Sequence, residues 1–313
     1  MRRTASWSTC VIPPRLRPGD TVAVAAPAGP VPRDDLGHGL AILQSRYRVV
    51  YDEALLCRTG YLAGTDERRA EELNRYLANP DVRAIFCARG GYGVMRILER
   101  VDSERLRHDP KIVVGFSDIT ALLSLCVMAA QVRPIHGPVV TQLGKLPEGD
   151  VEWLFRLIEN PEPMGRIPSN LARIGARGGG TVEGRLVGGN VELLTRLIGT
   201  PWELDLGASV FFLEDVGERP YRIDRMLTQL QLSSALDGVR AVAVGDLWRC
   251  EEPDASPPSA LDVVEERLAA FRLPGVMGLP VGHGARNLAL PVGARCAADL
   301  GESELVIEEG AVA

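Results

Sequence analysis

Short apolar runs recur through the first half of the chain, and each is followed by a segment whose apolar residues have helical spacing. Apolar runs without polar alternation are typical of strands that are buried on both faces of a parallel sheet. Parallel neighbours require crossover helices, so the alternation predicts a doubly wound α/β sheet with right-handed connections. The predicted strands are Thr21–Ala26, Arg48–Tyr51, Val82–Ala88 and Ile112–Gly115.

The alternation breaks in the segment 161–180, which contains three prolines and the run Gly178–Gly180. Such a segment is typical of a linker between domains. We therefore predict an N-terminal, mostly parallel α/β domain over 15–160, a linker over 161–180, and a C-terminal α/β (α+β) domain over 181–313. The start, residues 1–14, has two arginines and no apolar core of a signal peptide, and we predict that it is disordered.

The composition excludes several classes of protein. The chain has 35 basic and 41 acidic residues and a net charge of −6, which gives no basic footprint for nucleic acid. No window approaches the length of a membrane span. The six cysteines are scattered without a C-x-x-C pair, so we expect a reduced, cytoplasmic setting and neither a disulfide framework nor a zinc site.

The stretch Lys111–Leu125, KIVVGFSDITALLSL, predicts a buried strand, a tight turn and a helix. A serine at such a turn projects its hydroxyl beyond the sheet edge, where the free N–H groups of the following helix also point. Ser117 is therefore a candidate nucleophile. The turn departs from G-x-S-x-G because Ile119 stands at the second glycine position. In the alternative interpretation, Ser117 or Asp118 only caps the helix.

A serine nucleophile needs a base and an acid that orients the base. Of the four histidines, His283 lies between two glycines, which permit a loop tip that reaches across a cleft, and we prefer it to His136. Glu214 ends an apolar strand, so its carboxylate is expected at a sheet end, where α/β sites collect. Asp215 is the rival, because successive strand residues face opposite ways. A solvated strand end is the non-catalytic alternative.

The glycine-rich run Arg89–Gly93, RGGYG, follows a predicted parallel strand and would expose backbone N–H groups. We expect a helix after it, through Glu99. The N–H groups of Gly91 and Asp118 are candidates for an oxyanion hole. The run is otherwise a simple tight turn. It has neither the Walker A pattern nor the G-x-G-x-x-G spacing, so nucleotide phosphate binding is disfavoured.

Several segments together resemble the L,D-carboxypeptidase family of serine peptidases, which also contains microcin C immunity proteins. The resemblance covers the chain from about Leu16 to the C-terminus. It implies a two-domain fold with the active site at the domain interface, Ser117 as nucleophile, His283 as base and Glu214 as its orienting acid, with the Gly91 and Asp118 amides as oxyanion hole. The segments that carry the resemblance are Cys87–Gly93, Gly115–Thr120, His136–Pro138, Gly188–Asn190, Glu214, Tyr221–Arg225 and Gly282–Gly284. From its two glycines we expect Gly188–Asn190 to form a turn.

The resemblance implies removal of the terminal D-alanine from a murein tetrapeptide during cytoplasmic cell-wall recycling, by a homodimer without metal or cofactor. The alternatives are an immunity-type hydrolase of aminoacyl-nucleotide analogues and, as a third hypothesis, a peptide-binding protein without activity. A nucleotide base would need an aromatic surface, for which Trp202 and Trp248 are candidates, although we expect both to pack in the core. For a substrate carboxylate the candidate cations are Arg89, Arg222 and Arg225.

Overall fold

The computed structural model describes residues 10–176, 178–254 and 256–313. Its strands are β1 (Thr21–Ala25), β2 (Arg48–Val50), β3 (Val82–Cys87), β4 (Ile112–Gly115), β5 (Ile135–His136), β6 (Gly165–Arg166), β7 (Ala172–Gly175), β8 (Thr181–Asn190), β9 (Ser209–Val216), β10 (Ala241–Trp248), β11 (Pro274–Met277), β12 (Leu290–Pro291), β13 (Arg295–Asp299) and β14 (Glu304–Ile307).

The α-helices of the same residues are α1 (Arg33–Gln44), α2 (Asp66–Ala78), α3 (Ser103–His108), α4 (Thr120–Leu125), α5 (Val140–Leu143), α6 (Glu148–Glu159), α7 (Val191–Arg196), α8 (Pro220–Leu232) and α9 (Ala260–Ala270). Side-chain caps fix several helix starts. Thr65 Oγ1 accepts from the Arg68 N–H at the start of α2, and Ser259 forms a capping box with Asp262 at the start of α9.

The chain divides into two compact units. Unit 1 contains the described residues up to Pro161, with the returning segments Leu288–Pro291 and Ala311–Ala313. Unit 2 contains Glu162–Asn287 and Val292–Gly310. Each unit has its own sheet and its own buried apolar core.

Unit 1 is built on a six-stranded sheet of order β12-β5-β4-β3-β1-β2, in which every pair is parallel except β12 with β5. The chain runs from β1 outward to β2 and then crosses to β3 on the other side of β1. Helices pack in two groups: α1 contacts α5, whereas α2 contacts α3. The predicted doubly wound sheet is confirmed, because the continuous apolar runs are buried strands.

Unit 2 is built on an eight-stranded sheet of order β6-β14-β13-β8-β9-β10-β11-β7. Its four central strands, β8 to β11, run parallel, and antiparallel strands extend the sheet at both ends. The mixed α/β prediction for this half is confirmed. The carboxyl ends of β8, β9 and β10 lie side by side, and they carry Asn190, Glu214 and Asp246.

Three local expectations differ from the structure. The segment 161–180, expected as a linker, supplies the edge strands β6 and β7, which pair with β14 and β11. The expected turn Gly188–Asn190 is instead the end of β8, because the bare Gly188 lets the Phe212 carbonyl approach where a Cβ would lie 1.7 Å from it. The helix expected after Gly93 is two short 3₁₀ turns, Val94–Arg96 and Leu98–Arg100.

The predicted disorder of residues 1–14 falls partly on residues 1–9, which lie outside the described residues. In contrast with the expectation for the remainder, Val11 forms a parallel bridge with Val132. The Val11 N–H donates to the Gln131 carbonyl at 2.7 Å, and Arg133 N–H donates to the Val11 carbonyl at 2.9 Å. These paired backbone groups hold the chain against unit 1 before β1 begins.

Candidate active site

The serine turn of unit 1 has the geometry of a nucleophile elbow. After the buried strand β4, Ser117 adopts φ 63°, a left-handed conformation that is uncommon for a residue with a Cβ. The 3₁₀ turn Ser117–Ile119 then leads into α4. The first N–H groups of such a helical segment have no partner within it. A partly exposed serine in a strained bend is typical of a functional position.

The glycine run packs directly against this turn. A Cβ on the buried Gly90 would lie 2.8 Å from Ser117 Cβ and 3.0 Å from its Oγ, so only glycine permits this approach. Among the described residues, the Gly91 N–H makes no backbone hydrogen bond. The loop therefore brings a backbone donor next to the residue that contacts the serine, as an oxyanion hole requires.

Asp118 joins the same loop to the serine turn. Its side chain is buried, and Oδ2 accepts from the Val94 N–H at 2.9 Å, directly after the glycine run. Burial raises the pKa of Asp118 to about 6, although this hydrogen bond and the Arg69 charge oppose the rise. The fully buried Arg69 donates to the Gly93 carbonyl at 2.8 Å. Asp118 in the serine turn and Gly93 at the end of the glycine run are thus each held by a buried polar contact.

The candidate acid and the candidate base meet within unit 2. His283 Nδ1 lies 2.7 Å from Glu214 Oε2, and the glutamate side chain is fully buried at the end of β9. A buried carboxylate that accepts from Nδ1–H favours the tautomer whose lone pair is on Nε2, the tautomer that a general base needs. The rival acid, Asp215, points elsewhere and accepts from the Glu192 N–H at 3.0 Å and from the Asn190 amide at 3.2 Å.

Burial also raises the pKa of Asp215, to about 7, with a further contribution from the neighbouring Glu214. Its hydrogen bonds to Glu192 and Asn190 show that Asp215 holds the start of α7 and does not face the imidazole.

The rival base, His136, is fully buried on β5 of unit 1, where its ring meets Phe116 edge-on at 6.0 Å. The remaining histidines, His38 and His108, are exposed on helices.

One functional candidate was missed in the sequence. Asp246 on β10 accepts from the Gly284 N–H at 2.9 Å, and its own N–H donates to the Val281 carbonyl at 2.9 Å. A Cβ on Gly284 would lie 2.4 Å from Asp246 Oδ2, and one on Gly282 3.0 Å from Glu214 Oε2. The glycines around His283 therefore serve close contact with two carboxylates. The available signal was an acid after the apolar run Ala241–Val244, the same pattern that indicated Glu214.

Other predicted residues take different positions. Arg222 pairs with Glu218 at 3.2 Å, and Arg225 lies over the Tyr221 ring. Trp248 is 45% exposed at the end of β10, so the expectation that it packs in the core is wrong.

No group of metal-ligating side chains is found among the residues that the structure describes. No helix of the described chain is long and apolar enough to cross a membrane.

Comparison with known families settles the relationship of this chain. The model of the LD-carboxypeptidase N-terminal domain matches residues 22–137, and that of the C-terminal domain matches residues 183–297. This protein belongs to the LD-carboxypeptidase family, peptidase S66. It is accordingly a serine-type carboxypeptidase, a hydrolase with a peptide substrate.

Several relatives of this LD-carboxypeptidase have names that state a peptidase activity. The murein tetrapeptide carboxypeptidase of Pseudomonas aeruginosa is 36% identical over 87% of this chain and 91% of its own. The "probable murein peptide carboxypeptidase" of Bacillus subtilis is 34% identical over 95% of this chain and 94% of its own. The solved muramoyltetrapeptide carboxypeptidase of Oxalobacter formigenes is 28% identical with a TM-score of 0.79, covering 93% of this chain and 98% of that one.

The immunity branch is also related to this LD-carboxypeptidase. The microcin C7 self-immunity protein MccF of Escherichia coli is 26% identical over 93% of this chain and 94% of its own. The structure of MccF with glutamyl sulfamoyl guanosine has a TM-score of 0.86 at 24% identity, covering 96% of this chain and 99% of that one. This likeness shows the shared fold.

Proposed function

We propose that this LD-carboxypeptidase removes the terminal D-alanine of a murein tetrapeptide by a Ser-His-Glu acyl-enzyme mechanism. The observation that carries the proposal is the 2.7 Å contact of His283 Nδ1 with the fully buried Glu214. An imidazole held in this way has the tautomer needed to accept a proton at Nε2. The names of the P. aeruginosa and O. formigenes relatives support the choice of peptide.

In the proposed first step, Ser117 Oγ forms a bond to the scissile carbonyl carbon while its proton passes to His283 Nε2. The Gly91 and Asp118 N–H groups stabilise the oxyanion. The C–N bond then breaks, and the proton on His283 passes to the departing amino group of D-alanine. Water attacks the resulting ester with His283 as base, which releases the shortened peptide and restores the serine hydroxyl. Every proton is accounted for without a metal or cofactor.

The direct test is mass spectrometry of purified murein tetrapeptide before and after incubation with the protein. Loss of one alanine residue is the expected result. An unchanged tetrapeptide, with full folding verified, would contradict the proposal. Cytoplasmic action in cell-wall recycling and a homodimeric state remain predictions from the family, and light scattering of the purified protein checks the second.

A second candidate function is hydrolysis of an aminoacyl-nucleotide analogue. It is favoured by the exposed indole of Trp248, which ends the strand next to the one that carries Glu214. Its ring offers a face on which a nucleobase can stack. Incubation with aspartyl sulfamoyl adenosine beside the tetrapeptide separates the two. Faster turnover of the sulfamoyl compound would favour this second function.

A further inference from the structure

A cavity of about 340 Å³ opens in unit 1 between the loops that follow β1, β2 and β3. All three loops leave the carboxyl ends of parallel strands, so the cavity lies at the edge of the sheet that also carries the serine turn. Its volume is within the range of small-ligand sites. The lining residues are Gly29, Pro30, Arg58, Tyr61, Arg89, Gly91 and Tyr92.

The strand order explains why a cavity lies at this position. The chain leaves β1 toward β2 on one side and returns to β3 on the other, so the order reverses between β1 and β3. The connections on the two sides pass over opposite faces and leave a crevice at the carboxyl ends, which is where ligands bind in open α/β sheets. Gly29 and Gly91 both line it, and their backbones lie so close that a Cβ on Gly91 would be 3.1 Å from Gly29 Cα.

The cavity is close to the candidate nucleophile. Gly91 lines it, and the preceding residue, Gly90, is the one whose Cβ would lie 2.8 Å from Ser117 Cβ. One peptide residue spans about 3.5 Å. A residue joined to a bond that Ser117 attacks therefore has the length to enter the cavity.

The charged residues that line the cavity are all positive. None of its lining residues is acidic, and two are arginines. Arg58 Nε donates to the Gly60 carbonyl at 3.0 Å, and Arg89 Nη1 donates to the Pro30 carbonyl. Within the described ranges, neither guanidinium forms an ion pair with a carboxylate. A carbonyl orients a guanidinium without neutralising it, so the cavity keeps two positive charges.

A second arginine-lined cavity, in unit 2, shows the contrast. Its arginines include Arg196 and Arg222, and acidic residues line the same space. Arg196 pairs with Glu192 at 2.8 Å and Arg222 with Glu218 at 3.2 Å. Two of the three arginine charges there are thus paired within the protein, and the third, Arg225, lies over the Tyr221 ring. Neither arginine of the unit 1 cavity has a carboxylate partner among the described residues.

The walls of the unit 1 cavity are aromatic. Tyr61 and Tyr92 meet edge to face with ring centroids 5.4 Å apart, yet they are 63% and 55% exposed. Exposed aromatic rings beside unpaired cations form a surface that accepts an anion carried on a small apolar body. A carboxylate is the planar anion that a guanidinium binds best, through two parallel hydrogen bonds.

We propose that Arg89 and Arg58 bind a free carboxylate of the substrate peptide next to the scissile bond, with Tyr61 and Tyr92 against its alkyl part. The proposal rests on the proposed peptidase function, which requires a peptide with a free carboxylate near the attacked bond. Two carboxylates of a murein tetrapeptide have this chemistry: that of the terminal D-alanine and that of the diamino acid.

The test is steady-state kinetics with three synthetic tetrapeptides: the free peptide, its C-terminal amide, and the peptide amidated at the diamino acid carboxylate. We expect Arg89→Gln and Arg58→Gln each to lower kcat/KM for the free peptide by about 10- to 100-fold, as for loss of a charge-assisted hydrogen bond. The loss should disappear for the peptide that lacks the bound carboxylate, which identifies the carboxylate. Equal losses on all three peptides, or no loss, would overturn the proposal.

Arg83→Gln is the matched control. Arg83 lies on the same strand, β3, at the end opposite to the cavity, where it pairs with Asp109 at 3.7 Å. The Arg83→Gln substitution removes the same positive charge from the protein as Arg89→Gln does, and we expect it to leave kcat/KM unchanged. A loss equal to that of Arg89→Gln would show that net charge alone acts, and would overturn the proposal.

Binding to the Ser117→Ala protein separates this proposal from the proposed function. Calorimetry of the free peptide with Ser117→Ala and with Ser117→Ala/Arg89→Gln needs no turnover. Binding that weakens at least tenfold in the double variant supports the carboxylate site even if the wild-type protein does not cleave the peptide. Cleavage by the wild-type protein with equal binding by both variants would leave the proposed function standing and refute the site.

Discussion

Nδ1 of His283 lies 2.7 Å from Oε2 of Glu214, and the glutamate is fully buried while the imidazole is partly exposed. The Nδ1 side of the ring is thus held by a buried carboxylate, which favours the tautomer with its lone pair on Nε2. This is the arrangement of a general base with its orienting acid.

Glu214→Gln tests the charge of the acid. The amide can donate to Nδ1 and so favour the wrong tautomer, and it does not stabilise the imidazolium. We therefore expect kcat to fall by about 10⁴-fold, as in a comparable triad. Steady-state turnover of the tetrapeptide measures the change. Glu265→Gln, an exposed position on α9, is the matched control. A fall of less than tenfold for Glu214→Gln would contradict the assigned role.

Asp246 tests how the loop of His283 is positioned. Burial raises the pKa of Asp246, as does Glu214, whereas the Gly284 N–H and His283 lower it. The acids facing the imidazole are thus Glu214 on β9 and Asp246 on β10. Asp246→Asn keeps an acceptor for Gly284 but removes a negative charge that favours the imidazolium. We expect the acid limb of the kcat/KM profile to move to lower pH.

Asp246→Ala removes the hydrogen bond as well as the charge. We therefore expect it to lower the plateau rate, whereas Asp246→Asn mainly moves the pH limb. The pH dependence of kcat/KM for both variants separates the two effects. Identical profiles for wild type and both variants would show that Asp246 does not act on the base.

Gly90→Ala tests the contact between the glycine run and the serine turn. The added Cβ would lie 2.8 Å from Ser117 Cβ, so the loop with the Gly91 donor must move. Loss of one oxyanion donor lowers kcat by about 10²–10³-fold, and we expect a fall of this size. Gly37→Ala on α1, whose Cβ meets nothing within 4 Å, is the control and should gain up to about 1 kcal/mol of stability. Equal kcat for both variants would contradict the donor role.

Asp118→Asn tests the buried carboxyl of the serine turn. Burial raises the pKa of Asp118 from 3.8 to about 6. Between pH 4 and 6 the folded protein therefore keeps a proton that the unfolded chain has lost, and the free energy of unfolding falls as pH rises through this window. The wild type should lose about 2–3 kcal/mol more than Asp118→Asn between pH 4 and pH 7, at about 1.4 kcal/mol per unit of pKa shift. Urea unfolding measures this, and parallel pH curves would contradict it.

Much of the fold was predictable because its central strands are continuous apolar runs, which have few alternatives in a soluble protein. The edge strands β6 and β7 were not, since they are short and partly exposed and lie among prolines and glycines. Their stability comes from pairing with β14 and β11, which lie far along the chain. Sequence-local patterns do not contain that pairing energy.

The candidate site also contains residues that local sequence patterns indicate and residues that they do not. Ser117, Glu214 and His283 could be named as candidates from the sequence because each lies at a recognisable break after an apolar run or between glycines. Asp246 follows a comparable apolar run, but its contact with Gly284, which gives it significance, is created only by the packed loop. The exposed Trp248 was also misjudged, since hydrophobicity alone favours burial of an indole and does not register that its strand ends at the surface.

The central claim is that Ser117 and His283 act as one catalytic unit. Its most direct measurement is kcat on the murein tetrapeptide for Ser117→Ala, His283→Ala and the double variant. Residues that act together give grossly non-additive losses, so each single variant and the double should lose about the same amount, of the order of 10⁶-fold. A double variant whose loss is the product of the two single losses, or a Ser117→Ala protein that still turns over, would contradict the account.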